Sequence, residues 1–325
     1  MNRNFALGCI CIAMATLIFS TMEVVLKLPA VAGAFHPIQI TMERFLVGGL
    51  CLIPVAARTL KKKGGSLTAQ DLGYFALIGF LNICLGMVLF QLAVTFGQAN
   101  TVAVIFSGNP IFVTVLAAIL LHEVIRWNNI LALVFDILGI LIIVNPFGAG
   151  QADPLSVGLT VLSALLFSLY AVLGKKKTAR VGSIVVTCCS FLLGSLELLL
   201  LLLLGHWEPV ANALQSVGLD LFANVPFFQG INLQTLPYFL FIGIVNTAAG
   251  YVFHMLAIEK TSAIHGSLVF FFKPILAPLF ALLILGEAIT PTIAAGIAMF
   301  LTGSLLGILP AILRNRHPKE GPSHE

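Results

Sequence analysis

Along this chain apolar residues neither alternate with polar ones nor mark one face of short helices. They run in long uninterrupted stretches, broken by brief polar or Gly/Pro-containing segments. A bilayer hydrocarbon core of roughly 30 Å needs about 20 helical residues at 1.5 Å each. That ruler predicts ten spanning helices, over 5–27, 38–58, 72–95, 98–121, 127–146, 155–174, 181–205, 236–258, 261–285 and 290–310. The fold class expected is all-α and polytopic. The first run, preceded by Arg3, has the outline of a signal peptide. It is long, however, and carries Glu23 and Lys27 in place of a small-residue cleavage site, so it is expected to be retained.

Composition narrows the class. Of 325 residues, 59% are hydrophobic and 9% charged, against about a quarter charged in an ordinary soluble domain. This excludes a soluble domain, a disordered chain and, despite a net charge of +4, a nucleic-acid binder. All six cysteines sit inside apolar runs without metal-ligand spacing, so they read as small buried hydrophobes. No metal and no cofactor is expected.

The charge has a topological use. Arg3, Arg58, Lys61, Lys62, Lys63, Arg126, Lys175, Lys176, Lys177, Arg180, Lys260, Arg314, Arg316 and Lys319 fall on one side of the predicted spans, 14 of the 17 basic residues. The positive-inside rule then puts both termini in the cytoplasm of a multi-pass cell-membrane protein, which requires an even number of spans. One opposite connection, 206–235, is long and holds Trp207, Phe222, Phe227 and Phe228. Such aromatics suit the headgroup level, and a lid over a substrate path is the other reading.

Shifting the chain by 164 residues aligns 72–146 with 236–310 without a gap and gives 21 identities in 75 positions. Among them are Asn82/Asn246, Gly86/Gly250, Pro110/Pro274, Glu123/Glu287, Gly139/Gly303 and Pro146/Pro310. Shared apolar composition does not align rare Asn, Glu and Pro. With five spans per half, the second half enters the membrane from the opposite side. The expected architecture is two inverted five-helix repeats, 1–146 and 155–310, followed by a tail over 311–325. Inverted repeats of this kind build secondary transporters whose site lies near the midplane.

The runs "ANTVAVIFSGNPIFVTVLAAILLHE" and "SAIHGSLVFFFKPILAPLFALLILGE" resemble the fourth helix of the EamA domain, with a small-residue start, a mid-helix proline and a closing glutamate. Arg44 in "ITMERFLVGGL" resembles the arginine of that domain's second helix. Lys27 and Lys175–Lys177 resemble the lysine ending its first. Two such domains in tandem are similar to the ten-helix members of the drug/metabolite transporter superfamily, which implies transport of amino acids, other metabolites or drugs. The first half departs from the Gly-Glu ending, with His122 before Glu123.

Seven acid or base groups lie within spans: Glu23, Lys27, Glu43, Arg44, Asp136, Glu197 and Lys273. A charge at the bilayer centre costs about 2.5–3.5 kcal/mol on insertion scales, so each needs a reason. Lys273 is at the middle of its span, too deep to snorkel easily, with Asn109 as its repeat partner before Pro110. It anchors an anionic substrate or pairs with Glu23 or Glu43, and both roles fit a lysine released when substrate binds. Prolines 110, 274 and 278 predict kinks there. Thr16, Ser20, Glu23 and Lys27 share one face, so Glu23 is a substrate or proton site, or an ion-pair partner of Lys27. His254, on a face with Asn246 and Gly250, and His265, two turns before Lys273, are candidates to relay a proton or bind substrate, or are satisfied hydrogen-bonding groups. Tyr251, Tyr170, Phe90 and Phe270–Phe272 are candidates for an aromatic cavity, or plain packing. Arg44 reads as structural. Asp136 and Glu197 have no obvious local partner, and Asn109 or Asn100 across a helix interface is the candidate for Asp136. Glu123 and Glu287 terminate helices or make gate contacts at opposite faces. Gly139, Gly303 and Ser304 suit close packing in the core or at a homodimer face.

No His-Glu-x-x-His set, phosphate-cradling loop or nucleophile–base pair is present, so an enzyme is not expected. A channel with rings of like charge fits less well than a transporter, because the symmetry is inverted within one chain. The expected partners are a small-molecule substrate and the lipid bilayer, with proton coupling a further candidate. Lys273 favours export of an amino acid or other carboxylate-bearing solute. The alternative is a proton-coupled exporter of drugs or quaternary amines held by Glu23.

Overall fold

The computed structural model describes residues 3–125, 127–144, 152–270 and 272–316. Arg126, Pro146, Phe271, Lys319 and the rest of the tail beyond 316 lie outside the described residues, as do the side chains of Arg3, Ser304, Pro310, Arg314 and Arg316. Among the described residues every regular element is helical. The membrane helices are α1 Phe5–Lys27, α2 Pro37–Lys62, α3 Ala69–Phe96, α4 Ala99–Leu121, α5 Trp127–Val144, α6 Pro154–Val181, α7 Ser183–Leu204, α8 Leu236–Lys260, α9 Ala263–Leu285 and α10 Pro291–Arg316. The first nine are long and apolar enough to cross a bilayer, and α10 is apolar over Pro291–Gly303. The chain is thus a ten-helix membrane protein of two inverted five-helix repeats.

Local chemistry sets the helix starts. Thr68 and Asp71 form a reciprocal capping box at α3, and Asp153 accepts from the Ser156 N–H at 2.7 Å to start α6. Pro37 and Pro154 stand at first helical positions, where no N–H is needed.

Several helices are interrupted, and the interruptions fall inside the spans. α1 breaks at Ser20–Thr21 and resumes at Met22. α4 breaks at Ser107–Gly108 and resumes at Asn109. α9 passes through a 3-10 turn, Ser267–Phe270, and resumes at Lys273. The kinks expected at Pro110 and Pro274 are therefore breaks just upstream, with each proline second in the resumed helix. α3 and α8 carry π-helical turns at Phe80–Met87 and Phe241–Ala249, around the paired Asn82 and Asn246. Such turns free backbone groups and recur at functional sites.

Small residues hold the bundle together, because lipid offers no hydrophobic drive between helices. A methyl on Gly194 of α7 would stand 2.7 Å from the Gly79 carbonyl oxygen of α3. A methyl on Gly48 of α2 would stand 3.1 Å from the Gly243 oxygen of α8, the repeat equivalent of Gly79. α5 packs on α10 through Gly139, Gly296 and Gly303, so the expected close packing joins the two halves. There Asp136 faces Gly303 and meets neither Asn109 nor Asn100, because Asn100 is turned to Ala288, whose carbonyl accepts at 3.2 Å.

The basic residues gather with acidic partners at one end, here the basic face. Lys177 and Arg180 pair with Asp71, and Lys63 with Glu259. At the other end, the 206–235 connection forms a short helix, Glu208–Ser216, and then docks on α2. The Phe228 N–H donates to Glu43 at 2.9 Å, and the Gln39 amide donates to the Gln229 carbonyl at 2.9 Å. Trp207 and Phe228 remain 63% and 70% exposed, whereas Phe222 and Phe227 are half-buried and pack against the core, so the segment covers the end of α2 with its aromatics divided between core and surface.

Candidate functional site

The resumed segments of α1 and α9 bring Glu23 and Lys273 together. They form an ion pair between the two halves, both side chains fully buried. The remaining Glu23 oxygen, Oε2, has no donor among the described residues. Lys273 also lies over aromatic rings, with Nζ 4.8 Å from the Phe106 centroid and 5.8 Å from that of Phe270. Lys27 is not a partner of Glu23: its ammonium is turned to the Val94 and Gly97 carbonyls ending α3, an arrangement in which a snorkelling lysine caps a helix C-terminus.

A cavity of about 20 Å³ adjoins the pair, lined by Phe19, Met22, Arg44, Met87, Phe90, Phe106, Phe167, Tyr251 and Lys273. That volume holds about one water, so the protein is closed around its centre. Arg44, read from the sequence as structural, is part of this lining. It is wholly buried, with its guanidinium carbon 4.5 Å from the Phe45 centroid and Nη1 directed at the Met22 sulfur, 3.4 Å away. Its Nε and Nη2 find no acceptor among the described residues. A desolvated guanidinium with free N–H groups is costly, and its fork matches a carboxylate. Two cations face one carboxylate here, within apolar and aromatic walls. The arrangement can take an anionic group beside an apolar side chain.

The other expected site residues divide. Tyr251 lines the cavity and donates to the Met87 sulfur at 3.0 Å. His254 is wholly buried beside it, stacked 5.2 Å from Phe167, with both ring nitrogens unpartnered among the described residues. Tyr170 lies one layer out, its hydroxyl 3.3 Å from that of Ser190. Ser20 donates to the Thr16 carbonyl at 2.7 Å within α1. Asn109 donates to Ser168 of α6 at 2.7 Å, and Asn246 donates to Ile18 and Thr21 at the α1 break. Those three brace the broken helices rather than line the cavity. His265 does not reach the centre: it is exposed in the first turn of α9, where its ring meets the capping Ser262 hydroxyl at 2.8 Å. Phe272 is 54% exposed and turned away, whereas Phe90 and Phe270 surround Lys273. Asn82, wholly buried beside Tyr251, was legible only as the repeat mate of Asn246.

The sequence matches the model of the EamA-like transporter family twice, over residues 6–145 and 155–309. An uncharacterized transporter of Clostridium kluyveri is 35% identical over 304 residues, 92% of each chain. A protein of Streptantibioticus cattleyicolor named as a probable terminal-alkyne amino-acid exporter is 26% identical over 88% of this chain and 89% of its own. A solved crystal structure with 18% identity superposes with a TM-score of 0.65, covering 94% of this chain and 98% of that one, and shares the fold. A buried, charged centre between two inverted halves and a family match across both of them lead to one conclusion: the chain belongs to the EamA-like transporter family.

Proposed function

We propose that this transporter exports a small carboxylate-bearing metabolite, an amino acid foremost, through the Arg44–Lys273 cavity by alternating access. The observation that carries the reading is the Arg44 fork, buried with two donor nitrogens unpaired. A substrate carboxylate would complete that fork and compete with Glu23 for Lys273. The released Glu23 would then take the substrate ammonium or a proton. Phe19, Phe90, Phe106 and Phe167 would cover the apolar side chain. The halves 1–146 and 155–310 would rock about the ion pair, with the basic face cytoplasmic. The relative named as an amino-acid exporter supports the substrate class.

Transport by purified protein in liposomes tests this. Arg44→Lys keeps the charge but loses the fork, and should raise the half-saturation concentration for amino acids by about tenfold or more. Lys273→Ala should abolish transport. Uptake unchanged by both substitutions contradicts the reading.

The aromatic walls and Glu23 also suit a quaternary amine. That second reading holds if Glu23→Gln stops amine export while Lys273→Ala leaves it intact. Proton coupling through Glu23 or His254 predicts that an imposed pH gradient drives accumulation. Accumulation indifferent to the gradient rejects it.

A further inference from the structure

Each repeat closes its fourth helix in the same way, at opposite ends of the molecule. α4 ends at His122, in the left-handed region at φ 56°, and α9 at Gly286, at φ 71°. The next residue is Glu123 or Glu287, whose N–H returns to the Ala117 or Ala281 carbonyl at 3.2 and 3.3 Å. That turn aims each carboxylate across the repeat boundary. Glu123 accepts from the Ala263 and Ile264 N–H groups that begin α9, at 2.9 and 3.2 Å. Glu287 accepts from the Ala99 and Asn100 N–H groups that begin α4, both at 2.9 Å. All these partners are related by the 164-residue shift.

Lysines complete the pattern. Lys27 caps the Val94 and Gly97 carbonyls ending α3, and Lys175 caps the equivalent Ile258 and Thr261 carbonyls ending α8. Glu287 is the acidic group whose charge acts on Lys27, and Glu123 is foremost among those acting on Lys175. At each face, then, one helix–helix turn of a repeat has its carbonyls held by that repeat's own lysine. Its N–H groups are held by the other repeat's glutamate. A helix start leaves such donors orphaned, and a carboxylate there is favoured by the helix dipole as well as by hydrogen bonding.

We propose that Glu123 and Glu287 are the two gate residues of the transport step, Glu123 latching the basic face and Glu287 the opposite one. Both latches are fastened here, as the closed centre requires. Opening toward one face breaks only the latch of that face, because water entering there replaces the bonds lost. The other latch stays fastened and seals the path. The inference rests on alternating access as proposed above, but not on the substrate assigned.

The test uses the full chain in sealed membrane vesicles, with its six cysteines replaced by alanine and one reporter, Met87→Cys, in the cavity wall. A membrane-impermeant maleimide is applied from either side, and the basic face is identified by a control, Lys62→Cys. No solute is needed, so failure of the carboxylate reading leaves this result unaffected. Glu123→Ala should raise labelling from the basic face alone, and Glu287→Ala from the opposite face alone. Each rise should be about tenfold or more, as loss of two charge-assisted bonds implies. Where an alanine variant does not fold, Glu→Gln, which keeps an acceptor oxygen but no charge, should shift labelling in the same direction by less. Unchanged labelling, or both variants opening the same face, overturns the assignment.

Discussion

At the scale of single residues, the centre of the molecule is governed by the cost of burying charge. The Glu23–Lys273 pair is tolerable because each neutralises the other in a medium that neither can leave. Removing one partner strands the other, and for buried pairs that costs about 3–5 kcal/mol. Lys273→Ala is therefore expected to lower thermal stability in detergent, whereas Glu23→Gln combined with Lys273→Met should recover most of the loss. The double variant should still not transport. Recovery of transport along with stability would make the pair structural only. The sequence marked Lys273 and Glu23 because charge is rare in apolar spans. It left Arg44 as a structural residue, because only the fold shows that no carboxylate meets its free nitrogens. The same blindness set His265 on the side of Lys273, two turns before it: that spacing assumes an unbroken α9, and α9 is broken.

At the scale of elements, long apolar helices are set by the bilayer, and their positions were legible to within a few residues except at the basic ends of α6 and α10, which run past 174 and 310 to Val181 and Arg316. Their interruptions were only partly so. Proline predicts a kink, but a complete break and the π-helical turns depend on neighbours that accept the freed backbone groups. His122 illustrates such a dependence. The end of α4 needs a left-handed residue, its repeat mate is Gly286, and a histidine there is strained. His122→Gly should raise stability by about 1 kcal/mol, read as a higher melting temperature, with transport retained. A lower melting temperature would mean that the histidine side chain makes a contact worth more than the strain. Close packing carries a complementary expectation. Gly194→Leu places a side chain against the α3 backbone and should destabilise by about 1–3 kcal/mol or prevent folding.

At the scale of the whole molecule, two inverted halves share one charged centre and close it at both ends. The repeat was readable directly from aligned Asn, Pro and Glu residues, and it implied a midplane site before any contact was known. What the sequence could not show is how few groups meet there: Arg44, Lys273 and Glu23 among aromatic rings, around space for about one water. That arrangement makes recognition of a carboxylate the central claim. The most direct measurement is competition in proteoliposomes between matched pairs, an apolar amino acid and its carboxamide, which differ in the group offered to Arg44. The acid should compete at least about tenfold more strongly than the amide, and Arg44→Lys should shrink that difference. Equal competition by acid and amide, unchanged in Arg44→Lys, would contradict the account.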